Sequence, residues 1–160
     1  MMSDLPQIQG GTGTNRAAST DLALLCFGLH AASRAMTAVY RPLLEGLGLT
    51  YPQYLVMLLL WEGEPRLVKE LGGVLELDSG TLSPLLKRLE AAGLIRRERR
   101  AEDERAVEVT LTPEGRALQE RARHVPVAIE RATKLSHEEI EDLRVKLAEL
   151  RTALRRAQVE

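Results

Sequence analysis

The chain has 160 residues, 44% of them hydrophobic, which is enough for one compact domain with a real core. Aromatic residues make up only 3%, while Leu, Ala, Glu and Arg abound, and this balance favours a mainly helical protein. A net charge of −1 gives no global sign of nucleic acid, so any such case rests on where the charges sit.

No apolar run reaches the length of a membrane span, and no basic segment followed by an apolar stretch marks a secretory signal. One cysteine cannot form an internal disulfide and fits a reducing, cytoplasmic setting. Residues 1–18, with Gly10, Gly11, Gly13, Ser3, Thr12 and Thr14, read as a flexible tail. The domain proper is expected over 19–160.

From Thr20 to about Leu44, apolar residues recur as Leu22, Leu25, Cys26, Leu29, Met36, Val39, Tyr40 and Leu43, the spacing of an amphipathic helix. Pro42 predicts a kink or a change of path, and Gly46 and Gly48 mark an exit loop. Thr50-Tyr51-Pro52-Gln53 is a capping box opening a second, largely buried helix through Tyr54–Trp61, stopped by Gly63 and Pro65. A short helix is predicted from Val68 to Leu75, its Gly72 and Gly73 calling for a close packing partner. Leu77-Asp78-Ser79-Gly80 forms a turn and cap, and the next helix runs from about Ser79 to Ala92 with Leu82, Leu85, Leu86 and Leu89 inward. The period then changes: Ile95 to Arg100 and Val107 to Leu111 read as two short strands around the charged loop 101–105. Thr112-Pro113-Glu114 caps a helix reaching about Arg131. Ser136-His137-Glu138-Glu139 opens a last helix with Ile140, Leu143, Leu147, Leu150 and Leu154 as a heptad-like seam.

Short helix, turn, capped helix and hairpin, in that order, form a winged helix-turn-helix: one helix enters a major groove, another braces it. In the Ser79–Ala92 helix, Ser79, Thr81 and Ser83 are short groups suited to close approach, with Lys87 and Arg88 in reach of phosphates. An ordinary solvated helix face would read the same. The hairpin decides for DNA: Arg96, Arg97, Arg99 and Arg100 are offset only by Glu98, and Arg105 stands at the tip, a focus of charge suited to a sugar-phosphate backbone. Asp103 is placed to fix the Arg105 guanidinium as it enters a minor groove. The fold is therefore expected to be mainly α with a small β-hairpin wing, the winged helix-turn-helix spanning about 50–111. Helices over about 20–45 and 113–157 carry more apolar surface than one chain needs, so a homodimer is expected to join through them. Its reading helices would lie about 10 base pairs apart.

Cys26 lies on the apolar side of the first helix, with His30 one turn later. A helical cysteine is ordinarily a small hydrophobe, and His30 either favours its thiolate or is a packed neutral imidazole. The histidines have no metal-ligand spacing with Cys26, and no phosphate-cradling loop or triad signature is present, so no metal or cofactor is expected.

From about Leu22 to the last helix the chain resembles the MarR family, specifically its organic hydroperoxide resistance repressors. The resemblance lies in Leu25-Cys26-Phe27, Ala32-Ser33-Arg34-Ala35-Met36-Thr37, Tyr40-Arg41-Pro42-Leu43-Leu44 and Leu49-Thr50-Tyr51-Pro52-Gln53-Tyr54. It continues in Leu60-Trp61-Glu62, in the run from Leu77 to Arg88 and in Glu102-Asp103-Glu104-Arg105. It implies that Cys26 is the peroxide-reactive residue and that Tyr40 and Tyr51 match tyrosines that reach the sulfur from the partner subunit. It further implies a dimer that binds double-stranded operator DNA and lets go on oxidation. Oxidation gives a sulfenic acid and then, with no second cysteine, a mixed disulfide with a small thiol or overoxidation. Two departures stand out. His30 replaces a third tyrosine, and the short helix starts at Leu67-Val68, where a threonine cap is usual, so its start is less well fixed. One rival keeps the fold and replaces oxidation by a phenolic or other small ligand. The other, a thiol peroxidase using Cys26 and His30, lacks a resolving cysteine and leaves the basic wing unexplained.

Overall fold

A computed structural model describes residues 13–101, 103 and 105–157. In chain order these form α1 (Gly13–Glu45), α2 (Tyr51–Glu62), β1 (Arg66–Leu67), α3 (Val68–Leu75), α4 (Ser79–Ala91), β2 (Ile95–Arg99), β3 (Val107–Leu111), α5 (Pro113–Ala122), α6 (His124–Thr133) and α7 (His137–Ala157). The helix begins at Gly13, inside the stretch read as a tail, and residues 1–12 lie outside the described part. The chain divides into two units between Ala38 and Val39. Pro42 lies within α1 and has no N–H to give the carbonyl of Ala38.

The described part of the first unit is a helix, and none of its residues from 20 to 38 is buried. Leu22, Leu24, Leu25 and Phe27 are half to two-thirds exposed, and Leu29 and Met36 are also open. By length and composition, Thr20–Glu45 would suffice to cross a membrane, with a mean hydropathy of 1.4. That corrects the expectation of no such segment. Between its leucines lie several alanines, which are themselves apolar, with Gly, Ser and Thr that lower the mean only slightly, and charges are sparse.

The second unit holds a closed core in which Leu44, Val56, Met57, Leu60, Leu71, Leu86, Leu89, Ile95, Val109 and Val125 are essentially inaccessible. The Thr50 box is formed as read: the Thr50 side chain accepts from the Gln53 amide at 3.4 Å, and the Gln53 side chain accepts from the Thr50 amide at 2.8 Å. At the other end of α2, Arg66 Nε donates to the carbonyls of Leu59 and Gly63 at 2.9 and 3.0 Å, a cation at a helix C-terminus.

The hairpin gains a third strand that the pattern did not reveal. The sheet order is β1-β3-β2, all antiparallel, with Arg66 opposite Val109 and Ile95 opposite Leu111. A two-residue strand shows no periodicity, so only the pairing identifies it. Thr112 joins sheet to helix: its hydroxyl donates to the Gly93 carbonyl at 2.6 Å and accepts from the Gly115 amide at 3.0 Å. A Cβ on Gly115 would lie 2.0 Å from the Leu94 carbonyl oxygen, so the α5 start packs against backbone that only glycine admits.

The single helix expected from Pro113 to about Arg131 is two, broken at Arg123. Pro126 cannot donate to the Ala122 carbonyl, which ends α5 there and sits in the first turn of α6. The Ser136 box at the head of α7 is present, with Glu139 accepting from the Ser136 amide at 2.7 Å and Ser136 Oγ accepting from the Glu139 amide at 3.2 Å.

Candidate nucleic-acid interface and thiol site

Helices α3 and α4 are joined by a turn whose close packing explains one of the two helical glycines. A Cβ on Gly72 would stand 3.1 Å from the Leu77 carbonyl, whereas one on Gly73 would meet nothing within 4 Å. The start of α3 is better fixed than its missing threonine predicts, because the Glu70 carboxylate accepts from the Leu67 amide at 2.8 Å. Asp78 caps α4, accepting from the Thr81 amide at 2.8 Å. Leu82, Leu85, Leu86 and Leu89 are buried as read, which turns the opposite face outward.

On that face Ser79, Thr81, Lys87 and Arg88 are exposed and Ser83 is half-buried. The Thr81 hydroxyl leans on the Asp78 carboxylate at 3.3 Å, so part of its hydrogen-bonding capacity is already used by the cap. Pro84 lies within α4 and has no N–H for the Gly80 carbonyl.

The wing departs from the sequence reading at two residues. Arg97 forms an ion pair with Glu90 of α4, Nη2 to Oε2 at 2.5 Å and Nε to Oε2 at 3.0 Å, while its amide donates to Oε1 at 3.2 Å. That contact holds the carboxyl of Glu90 below its usual range, chiefly through the Arg97 hydrogen bond. Arg97 ties β2 to α4 and is not a spare cation. Strand parity carried the signal: Ile95 is buried, so residue 97 points to the same side. Asp103 does not grip the Arg105 guanidinium among the described contacts; Oδ1 accepts from the Arg105 amide at 3.0 Å, and its carbonyl accepts from the Ala106 amide at 2.9 Å. A carboxylate so near its own turn closes an Asx-type ring with the backbone first.

Arg99 and Arg105 are exposed, as is Arg96 on the opposite side of β2. Glu98 faces Glu108 across the ladder, an unfavourable pair that Arg100 relieves with Nε 2.5 Å from Glu108 Oε1. Between α3, the head of α4 and the wing tip lies an open groove of about 900 Å³ lined by Lys69, Ser79, Leu82, Asp103, Arg105 and Val107, among others. Lys69 was not among the sequence candidates. A lysine on the outer side of a bracing helix, one turn before the packed Gly72, was the available signal.

The thiol candidates fall into separate units. In the first, Cys26 is exposed, and His30 one turn on shares a shallow cleft of about 370 Å³ with Phe27, Ala31, Arg34 and Ala35. In the second, the Tyr40 and Tyr51 ring centroids lie 4.8 Å apart, and Tyr54 stands 6.0 Å from Tyr40. Burial, then the neighbouring Tyr51 and Tyr54, pushes the Tyr40 phenol up to about 12. It therefore stays protonated, a hydrogen-bond donor rather than a base. Tyr54, missed as a member of this cluster, is raised for the same leading reason.

The family model for the transcriptional regulator SarA/Rot matches residues 38–121. The organic hydroperoxide resistance transcriptional regulator of Bacillus subtilis (strain 168) is 52% identical over 120 residues, 75% of this chain and 82% of that protein. Reduced AbfR bound to DNA, a protein of Staphylococcus epidermidis, superposes with a TM-score of 0.77 at 35% identity, covering 88% of this chain and 99% of that one. A cysteine-to-serine mutant of MarR from E. coli, complexed with operator DNA, gives 0.72 at 26% identity over 81% of this chain and 95% of that one.

Proposed function

The chain belongs to the MarR family of winged-helix transcription regulators, of the organic hydroperoxide resistance type, and we propose that it is a cytoplasmic repressor switched by oxidation of Cys26. The observation that carries this reading is the position of the only cysteine. It is exposed on a helix whose Leu22, Leu24, Leu25, Phe27 and Leu29 are exposed with it. A second copy laid along this helix and α7 would cover those residues and enclose the thiol in an apolar pocket. The phenols of Tyr40 and Tyr51 would reach the sulfur from the partner subunit. Kinship to DNA-binding regulators favours this reading of Thr20–Glu45 over a membrane span.

The chemistry is balanced at each step. The Cys26 thiolate attacks the terminal oxygen of an organic hydroperoxide, the O–O bond breaks, and the alkoxide leaves and takes a proton as alcohol. Sulfur is oxidised by two electrons to a sulfenic acid. A small thiol then displaces hydroxide, released as water with the thiol's proton, to give a mixed disulfide; further hydroperoxide gives overoxidation instead. Phenol donors such as Tyr40 stabilise the initial thiolate because they remain protonated. A bulky or polar adduct between subunits shifts the helices and spoils the spacing of two α4 reading heads, with Ser79, Ser83, Lys87, Arg88, Arg99 and Arg105 facing DNA. A hundredfold loss of affinity requires a differential of about 2.7 kcal/mol between the two states.

Operator binding measured by fluorescence anisotropy before and after a stoichiometric organic hydroperoxide tests this for wild type and Cys26→Ser. Both proteins are expected to bind when reduced, and only wild type releases, reversibly with dithiothreitol if the adduct is a mixed disulfide. Release of Cys26→Ser by hydroperoxide would overturn the thiol switch. The groove between α3, α4 and the wing favours one other reading, relief by a phenolic or similar small ligand, through its apolar Leu82 and Val107 beside Lys69 and Arg105. Release of Cys26→Ser by a salicylate-like compound is its signature.

A further inference from the structure

Helix α3 ends on Glu76, a left-handed residue (φ 57°) whose amide donates to the Gly72 carbonyl. Two residues later Asp78 caps α4, so the Glu76 side chain hangs from the joint between the bracing and reading helices. Both of its oxygens are engaged by α7. Arg151 Nη1 lies 3.1 Å from Oε1, and Arg155 Nη2 lies 2.5 Å from Oε2. The carboxylate is 24% exposed and each arginine 57%.

This arrangement differs from the other ion pairs of the helical tail. Arg123–Glu120 and Arg144–Glu141 are three residues apart within one segment and join nothing else. Arg151 and Arg155 are one turn apart and converge on a single carboxylate from another element. Two guanidinia on two oxygens fix a direction as well as a distance, which a single exposed pair does not. The apolar residues Leu143, Val145, Leu147 and Leu154 of the same helix are exposed, so they do not supply that anchorage within the chain.

We propose that Glu76, Arg151 and Arg155 form a positioning clamp through which the terminal helix sets the angle at which α4 is presented to DNA. The inference rests on the repressor reading above, in which α7 packs against a second copy. A helix held by the partner and clamped to the α3–α4 joint makes the orientation of the reading head follow the geometry of the dimer. None of the three residues needs to touch DNA.

The test exploits a sign conflict. Glu76→Gln removes a negative charge and so strengthens the general attraction to phosphates. A clamp predicts the reverse on the specific operator, a loss of about fivefold. Full-length wild type, Glu76→Gln, Arg151→Ala/Arg155→Ala and the triple combination are titrated on the native operator and on operators with one base pair added or removed between half-sites. Thermal midpoints are recorded alongside. The expected result is that both partial variants lose affinity and discriminate less against altered spacing, and that the triple variant is no weaker than the double. Reversing the charges, Glu76→Arg with Arg151→Glu and Arg155→Glu, restores spacing discrimination. Unchanged or tighter operator binding by Glu76→Gln with wild-type spacing preference overturns the clamp, as does full additivity in the triple variant. Failure of the repressor reading looks different: wild type itself then shows no preference for any operator.

Discussion

The two units of this chain are stabilised in opposite ways. In the second, α2, α4, the sheet and α5 enclose residues such as Met57, Leu71 and Leu89 so fully that the unit carries its own reason to fold. In the first, a helix presents Leu22, Leu24, Leu25 and Phe27 to solvent around its only cysteine. An isolated helix with an unpartnered apolar face is marginal, and its order depends on what covers it. The contrast teaches a division of labour: the winged-helix unit is finished within one chain, while Cys26 lies on a face that is open among the described residues. On the proposed reading, chemistry at the thiol acts on assembly and leaves the closed core of the second unit intact.

Three substitutions break or sharpen this contrast, and the largest effect belongs to the closed unit. Gly115→Ala drives a Cβ to 2.0 Å from the Leu94 carbonyl, so urea unfolding is expected to show a loss of about 3 kcal/mol or more. Stability within 0.5 kcal/mol of wild type would mean that the joint between sheet and α5 is loose.

Next comes the Glu90–Arg97 pair, whose half-exposed geometry limits it to about 1 kcal/mol. Because the Glu90 carboxyl is held below its unfolded value, its contribution is complete above the ordinary carboxylate range and is lost as pH falls through the lowered value. Wild type should therefore lose its advantage over Glu90→Gln on acidification. A difference between the two that stays constant down to strongly acidic pH would rule the linkage out.

The smallest effect belongs to the open unit. A Cβ on Gly28 meets nothing within 4 Å among the described residues, so Gly28→Ala should raise helix stability by about 1 kcal/mol or less. Sedimentation sharpens the point: weakened self-association in this variant would show that a second copy approaches Gly28 closely.

Legibility in the sequence followed the range over which each feature is determined. Capping boxes at Thr50 and Ser136, the Asp78 cap and the inward leucines of α4 are set by neighbours within four residues, and they appear as read. Features that depend on another element did not show. β1 exists only as a partner of β3, and Arg97 is defined by Glu90 on another element. Pro126, which has no N–H for the Ala122 carbonyl, is the sequence signal for the break at Arg123. At the thiol, spacing placed Cys26 and His30 on one face of a helix. The phenol cluster of Tyr40, Tyr51 and Tyr54 draws on residues from two helices, and only its resemblance to known repressors pointed there.

Trp61 is the only tryptophan of the chain, and its indole N–H donates to the Gly115 carbonyl at 2.9 Å while its ring meets Tyr54 edge-on at 6.2 Å. The protein therefore carries a built-in optical gauge at the seam where α2 meets the start of α5. Emission from this one residue reports whether the seam is closed, without a label and in the same cuvette as a DNA titration. A red shift on oxidation would register a strain that has travelled as far as α5. A constant spectrum alongside lost DNA binding would register subunits that have moved as rigid bodies.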